Sequence, residues 1–424
     1  MPHASTGRST NWGGNVSYST ERLHLPESVN EVAQLVRASA KPKALGTRHS
    51  FNRIADTVGD LICLRKLNRV LHLDQVNQAV TIEPGITYGA LGCCLHEQGY
   101  AVANLPSLPH VCVGGAVQTG THGSGTANLA SEVVALQVVT ADGRVVELSR
   151  DRDGKQFDGM VVALGMLGVV TQLTLRIRKS FLVQQDIYEH IPLANVLDNF
   201  EAVTTSAYSV SLFTDWQSDR INQIWFKHDV TSGAPAALPF SFLEGARASV
   251  KLHPIAATAP DFCTEQGIPG PSHERLPHFR PDHEPSSAGH ELQSEYFVRS
   301  SDIAAALRAV ATIGPRLKDC LMISEVRTVA EDSLWLSPCY QQPSVGIHFT
   351  WQPKEAEVLH LLETVIEPAL SPFKPRPHWG KLFTLEPANV QSRYEMLPAF
   401  RQLCSHFDPT GKFRNRFADR YIFG

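Results

Sequence analysis

The sequence predicts an α+β chain of two domains closed by a C-terminal return, and three observations predict it. The 424 residues are 43% hydrophobic, enough core for two or three domains of roughly 150 residues each. The N-terminal part alternates helical and extended signals. After about residue 180 the character changes: Pro, Ser and His become frequent between Gly233 and His290, which predicts long loops over a different sheet. The expected partition is 1–180, then 181–375, then a return over 376–424.

The elements follow in order. Ser28-Val29-Asn30-Glu31 reads as a capping box, and Val29, Val32, Ala33 and Val36 continue at helical spacing. A strand from Lys43 to Gly46 leads into a loop carrying His49, and a second strand covers Asp60 to Leu64. Val70–Leu73 and Ala79–Glu83 form a hairpin around Gln75-Val76-Asn77, stopped by Pro84-Gly85. A helix is expected from Tyr88 to Gln98. Val133–Thr140 and Arg144–Leu148 flank Ala141-Asp142-Gly143, a hairpin signal. Leu164 to Val170 feeds the alternating strand Thr171 to Ile177. Asp302–Thr312 and Glu355–Ile366 read as helices, and Phe407 to Phe413 as a turn followed by a short aromatic segment.

Composition excludes several function classes. The formal charge of -4 argues against nucleic acid or an anionic membrane as the main partner. Met1 to Arg8 has no apolar run and no stretch of about 20 apolar residues exists, so neither a secretory leader nor a membrane span is expected. The eight cysteines contain no Cys-x-x-Cys pair, which makes a zinc site unlikely and reads as small buried hydrophobes in a reducing compartment, the cytoplasm. His273 with His278, and His283 with His290, lack metal-ligand spacing and read as loop or surface histidines, so no metal is expected.

Two glycine-rich segments stand out. One is Lys43 to Asn52, containing Gly46-Thr47-Arg48-His49-Ser50. The other is Val113 to Gly125, containing Gly114, Gly115, Thr121, Gly123 and Ser124. No Gly-x-Gly-x-x-Gly follows a strand, which disfavours a Rossmann site. Small residues in these runs let backbone N–H groups approach a pyrophosphate, although a glycine run is also an ordinary turn and His49 an ordinary capping histidine. In the second half, Glu325 and Arg327 are two apart, as are His348 and Thr350. On strands each pair projects from one face, while Ile347, Phe349 and Trp351 take the other. Such strands line a polar cavity or simply expose one solvated face.

These segments resemble the vanillyl-alcohol oxidase flavoprotein family, in many members of which the histidine at the place of His49 is bonded to FAD. The resemblance implies an FAD-binding domain and a substrate (cap) domain on a large antiparallel sheet. It assigns Gly46, Thr47, Arg48, His49 and Ser50 to the cofactor loop and Gly114, Gly115, Thr121, Gly123 and Ser124 to a second cofactor segment. Gly165, Gly168 and Val170 resemble the segment that packs on the cofactor. Relatives with a second covalent bond carry cysteine where this chain has Leu108, so a single link through His49 is expected. Glu325-Val326-Arg327, His348-Phe349-Thr350, Arg376-Pro377-His378-Trp379-Gly380-Lys381, Cys263 to Gln266, His273 to Phe279 and Leu292 to Tyr296 are similar to segments of bacterial alditol oxidases, including xylitol oxidases. The likeness runs from Asn11 to Asn415.

That subgroup implies oxidation of a polyol's terminal hydroxyl to the aldehyde, with oxygen giving hydrogen peroxide. Lys381, Arg327 and His348 are the implied catalytic residues, and Glu325, Thr350 and Ser107, which also sits by the cofactor, the implied hydroxyl binders. Pro106 replaces the alanine expected beside the flavin. A sugar-lactone oxidase or dehydrogenase is the alternative activity. The expected partners are a polyol and oxygen, with no nucleic acid and no membrane, and a monomer is expected.

Overall fold

A computed structural model describes residues 9–233, 244–255, 260–283 and 290–424. Residues 234–243, 256–259 and 284–289 of the Pro-, Ser- and His-rich stretch therefore lie outside the described residues. Among the described residues, three larger sheets and one two-stranded ribbon, Tyr100–Ala101 with Arg178–Lys179, organise the chain. A small parallel sheet joins β1 (Leu23–His24), β2 (Pro42–Leu45) and β3 (Asp60–Cys63) in the order β1-β3-β2. Helix α1 (Val29–Ala38) packs Val32, Ala33 and Val36 over it. The capping box forms: Ser28 Oγ accepts from Glu31 N at 3.3 Å, and the Glu31 carboxylate takes the Glu27 N–H instead of that of Ser28. This cap satisfies helix N–H groups that have no intrahelical partner.

The second sheet is antiparallel and five-stranded. It contains β4 (Val70–Asp74), β5 (Ala79–Ile82), β6 (Val133–Val139), β7 (Val145–Ser149) and β8 (Val169–Arg176), in the order β4-β5-β8-β6-β7. Both expected hairpins are present. Helix α2 (Tyr88–Glu97) fills the crossover, and α3 (Val113–Gln118) occupies the start of the second glycine run. Glycine disfavours helix, but Gly114 packs where a Cβ would lie 2.6 Å from Pro84 Cβ. Close packing overrides the local preference there.

The largest sheet has nine strands among the described residues. Its long members are β9 (Leu182–Pro192), β10 (Ser209–Thr214), β11 (Arg220–Asp229), β12 (Leu292–Arg299), β13 (Leu321–Val329) and β14 (Ser344–Trp351). With β15 (Arg376–Pro377) they run β9-β11-β10-β13-β14-β12-β15, every neighbour antiparallel. One face carries Ile347, Phe349 and Trp351, all fully buried, against helix α4 (Ile303–Ile313) and the helical turns after α5 (Glu355–Leu361).

The final residues return to the first sheet through α6 (Leu397–Phe407) and the turn after it. Lys41 Nζ donates to Gly411 O at 2.7 Å, and Asn415 Nδ2 donates to three carbonyls, those of Arg53, Ile54 and Asp56. All eight cysteines are free, but Cys93 and Cys94 are exposed on α2, contrary to the buried reading. The 3.6-residue period of the helix puts Leu91 and Leu95 inward and this adjacent pair outward, which their apolar character did not reveal. Among the described residues no helix is long and apolar enough to cross a membrane.

Candidate active site

The site lies where the large sheet meets the His49 loop. Strand register builds its floor. Glu325 on β13 is opposite His348 on β14, and His348 is opposite Glu295 on β12. Thr350 faces Gln293, and Arg327 faces Gly346. Residues two apart on a strand share a face, so three strands present Gln293, Glu295, Glu325, Arg327, His348 and Thr350 together. This face is not solvated: Glu325, Arg327, His348 and Thr350 are each 6% exposed and Glu295 1%.

Burying charges is costly unless they are paired, and here they are. Arg327 Nη2 donates to Glu295 Oε1 at 3.0 Å, Nη1 donates to Ser107 Oγ at 3.0 Å, and Nε stands 3.5 Å from Glu325 Oε1. Burial alone would raise the pKa of Glu325, yet Arg327 and His278 bring it far below the usual carboxylate range. Glu295 is likewise driven well down, against the effect of burial, by His122 and Arg327. Both are carboxylates, and Arg327 remains a cation. Burial lowers His348 to about 4, helped by Lys381, so its imidazole is neutral at pH 7. Burial also brings Lys381 down to about 8. Its Nζ donates to Gln293 Oε1 and lies 3.4 Å from His348 Nδ1, while His348 Nε2 meets Thr350 Oγ1 at 3.1 Å.

Two site residues escaped the sequence reading. Glu295 is the centre of the floor. His278, taken as a loop or surface histidine, is buried and bonds Glu325 Oε1 at 2.6 Å. Lys227 on β11 fixes it there: its buried Nζ donates to the carbonyls of Arg275, Leu276 and Pro277 at 2.7, 2.7 and 2.8 Å. The next N–H, of His278, donates to Ser107 O at 3.0 Å. His273 is also buried rather than at the surface.

The opposite wall is the His49 loop. Phe51 N donates to Gly380 O at 2.7 Å, and Asn52 Nδ2 donates to Trp379 O and Lys381 O at 2.8 and 2.7 Å. These bonds hold the loop against the segment that carries Lys381. Arg48 takes the left-handed conformation, φ 66°, which strains a non-glycine residue and turns the chain sharply. The His49 ring then stacks on Trp12, centroids 5.1 Å apart and planes 25° apart. Both its ring nitrogens are buried without a hydrogen-bond partner. Burial, then His110, lowers its pKa to about 4, while the Thr47 backbone lies near without completing a bond.

One cavity is lined by both walls. Gly46, Thr47, Arg48, His49, Ser50, Ser107, Gly114, Gly115, Thr121, Gly165, Gly168 and Val170 border it, as do Pro106, Leu108 and Cys112. Gly46 must lack a side chain, because a Cβ there would sit 2.5 Å from Cys112 Sγ. Gly123 and Ser124 do not border this cavity: Gly123 abuts the Asn104 side chain and Ser124 Oγ bonds Val210. They join the loop to the large sheet. The resemblance assigns both to the cofactor segment, and their surroundings here are Asn104 and Val210 rather than this cavity.

These residues fit a flavin dinucleotide. The backbone N–H groups of Thr47, Arg48, His49 and Ser50 meet no acceptor among the described residues, leaving donors for a pyrophosphate. His49 lines the same cavity with both ring nitrogens buried and unpaired, an otherwise unfavourable state for a polar atom. Among the described residues no group of three His, Cys, Asp or Glu side chains is placed to hold a metal ion.

Known proteins resemble both halves. A family described as an FAD binding domain matches residues 21–149, and one described as D-arabinono-1,4-lactone oxidase matches residues 290–421. An alditol oxidase from Streptomyces sp. is 42% identical over 96% of this chain and 97% of its own. The L-gulonolactone oxidase of Mus musculus is 28% identical, covering 97% of this chain and 98% of its own. Among solved structures, cholesterol oxidase from B. sterolicum superposes with a TM-score of 0.78 at 14% identity, over 98% of this chain and 96% of that one.

Proposed function

The chain belongs to the FAD-dependent alditol oxidases, with the vanillyl-alcohol oxidase type of fold, and from that premise we propose how its own residues oxidise a polyol. The substrate is an alditol such as xylitol or sorbitol, and its terminal CH2OH becomes the aldehyde of an aldose. The lactone oxidases are more distant relatives, at 28% identity against 42%. The observation that carries the reading is the convergence of Ser107, Glu325, Arg327, His348, Thr350 and Lys381 on the cavity that also receives His49. We read 1–180 as the FAD-binding domain, 181–375 as the substrate domain and 376–424 as the segment that completes the site.

A bound FAD, held by the loop of residues 46–50, would supply the two-electron acceptor for the hydride that leaves the terminal carbon, with oxygen as final acceptor and hydrogen peroxide as product. Everything else falls to the chain. Glu325, Thr350 and Ser107 bind hydroxyls along the substrate. Lys381 and Arg327 stabilise negative charge as the terminal hydroxyl loses its proton. His348, neutral and with Nδ1 3.4 Å from Lys381 Nζ, serves as the base for that proton, and a positioned base contributes roughly 10²–10⁴-fold. Anaerobic xylitol should bleach the flavin, and air should restore the colour with one peroxide per aldose. An enzyme that stays yellow with every polyol would overturn the reading.

His49 tethers the flavin in this account, as the single covalent link. Its unpaired nitrogens and its low proton affinity support this, since a neutral imidazole nitrogen has a free lone pair. Acid precipitation of His49→Ala should release the yellow colour to the supernatant, while the parent protein pellets yellow. Colour pelleting with the variant would place the link elsewhere.

A further inference from the structure

We propose that Glu295 is the positioning residue of this site: a fixed buried anion that holds Arg327 in line and keeps Lys381 charged, with His122 fastening it from behind. The proposal adds a residue to the machinery described above and rests on that reading of the reaction. Glu295 Oε1 accepts from Arg327 Nη2 and faces His122 Nε2, both at 3.0 Å. Its Oε2 lies 3.7 Å from His348 Nδ1 and 4.0 Å from Lys381 Nζ. One carboxylate therefore touches or faces both cations and the base.

Two features keep it there. His122 Nδ1 is 2.8 Å from Gly123 O, so each ring nitrogen faces an oxygen acceptor and the ring is pinned at both ends. Gly346 lies directly across from Arg327. A Cβ on it would stand 3.1 Å from Glu295 Oε1 and 3.5 Å from His122 Cε1. The missing side chain leaves a lane through which Arg327 reaches over one strand to Glu295 on the next.

The charges explain the purpose. Arg327 and Lys381 face Glu295 and Glu325. Lys381 also faces Glu291 and His348, and Glu295 also faces His378 and Cys339. Burial has left His348, His278 and His378 neutral at pH 7. Removing the Glu295 charge makes the buried site more positive by one charge, and the ammonium of Lys381 then sheds its proton more readily.

Glu295→Gln keeps the shape and removes the charge. Sulfite, an anion that adds reversibly to oxidised flavins, reports the site's charge whatever the substrate. Its Kd, read from the loss of flavin absorbance at pH 6, where Lys381 is still charged, should fall at least about 10-fold in the variant, following the lost negative charge. The alkaline limb of anaerobic reduction by xylitol, which marks loss of the Lys381 proton, should move down by about one pH unit or more. A structural defect alone would loosen sulfite and leave the limb in place, and that result overturns the proposal. Should Glu295→Gln fail to fold, Gly346→Ala crowds the same carboxylate while keeping its charge. Its reduction rate should fall about 10-fold, as expected for displaced site groups, with the alkaline limb unchanged, and a wild-type rate overturns the proposal. If xylitol does not reduce the wild-type flavin, the reaction reading fails, while the sulfite comparison still tests Glu295.

Discussion

Replacing Lys381 by methionine should slow anaerobic flavin reduction by xylitol about 10²–10³-fold, the usual cost of removing one preorganised charge stabiliser, with FAD retained. Methionine preserves most of the side-chain stem, whose ammonium end lies 6.0 Å from the centre of the Phe51 ring. It deletes the one group that joins Gln293, His348 and Glu295 across the mouth of the site. The flavin contacts assigned to residues 46–50 are untouched, so absorbance of the purified protein checks retention and stopped-flow bleaching checks the rate. Reduction at the wild-type rate would remove Lys381 from the chemistry. The variant should also lose the alkaline limb. In the parent, Lys381 is charged below its pKa of about 8 and neutral above it, so the rate falls as pH rises through that value.

Arg327→Met should have the largest effect on stability, a loss of about 3–5 kcal/mol at pH 7.5, because it strands two buried carboxylates. Glu295 and Glu325 both depend on Arg327 for their low proton affinity. The sign of the pH dependence follows. In the parent their folded pKa values are depressed, so their stabilisation is present above the unfolded value and disappears on acidification. In the variant the stranded carboxylates favour the proton, and stability should rise between pH 7.5 and 5.5. Urea unfolding at both pH values checks this. A variant as stable as the parent, or one that weakens on mild acidification, would show that the ion pairs do not hold this face together.

The sequence was most legible where structure is local. The Ser28 cap, the hairpin at Asp142-Gly143 and the paired polar residues on β13 and β14 depend on neighbours a few positions away. Glu295 was missed although its signal was present: Gln293 and Glu295 alternate on β12 just as Glu325 and Arg327 do on β13. His278 had no such signal. Its place depends on Lys227, far away in the chain, gripping three consecutive carbonyls. Helix α3 was hidden because contact with Pro84, not propensity, decides the conformation of Gly114. Gly123 and Ser124 are assigned to the cofactor by resemblance, and only the folded chain shows that they meet Asn104 and Val210.

The central claim is that a row of buried polar groups selects a polyhydroxylated substrate. Donors and acceptors left unpaired make a poor fit expensive, so hydroxyl number should matter more than size. The most direct measurement is anaerobic flavin reduction by xylitol, 1-pentanol and a sugar 1,4-lactone under one set of conditions. The account predicts rapid bleaching by xylitol, with 1-pentanol slower by at least about 10²-fold and the lactone well behind xylitol. Equal rates for xylitol and 1-pentanol, or fast bleaching by the lactone with xylitol inert, would contradict it.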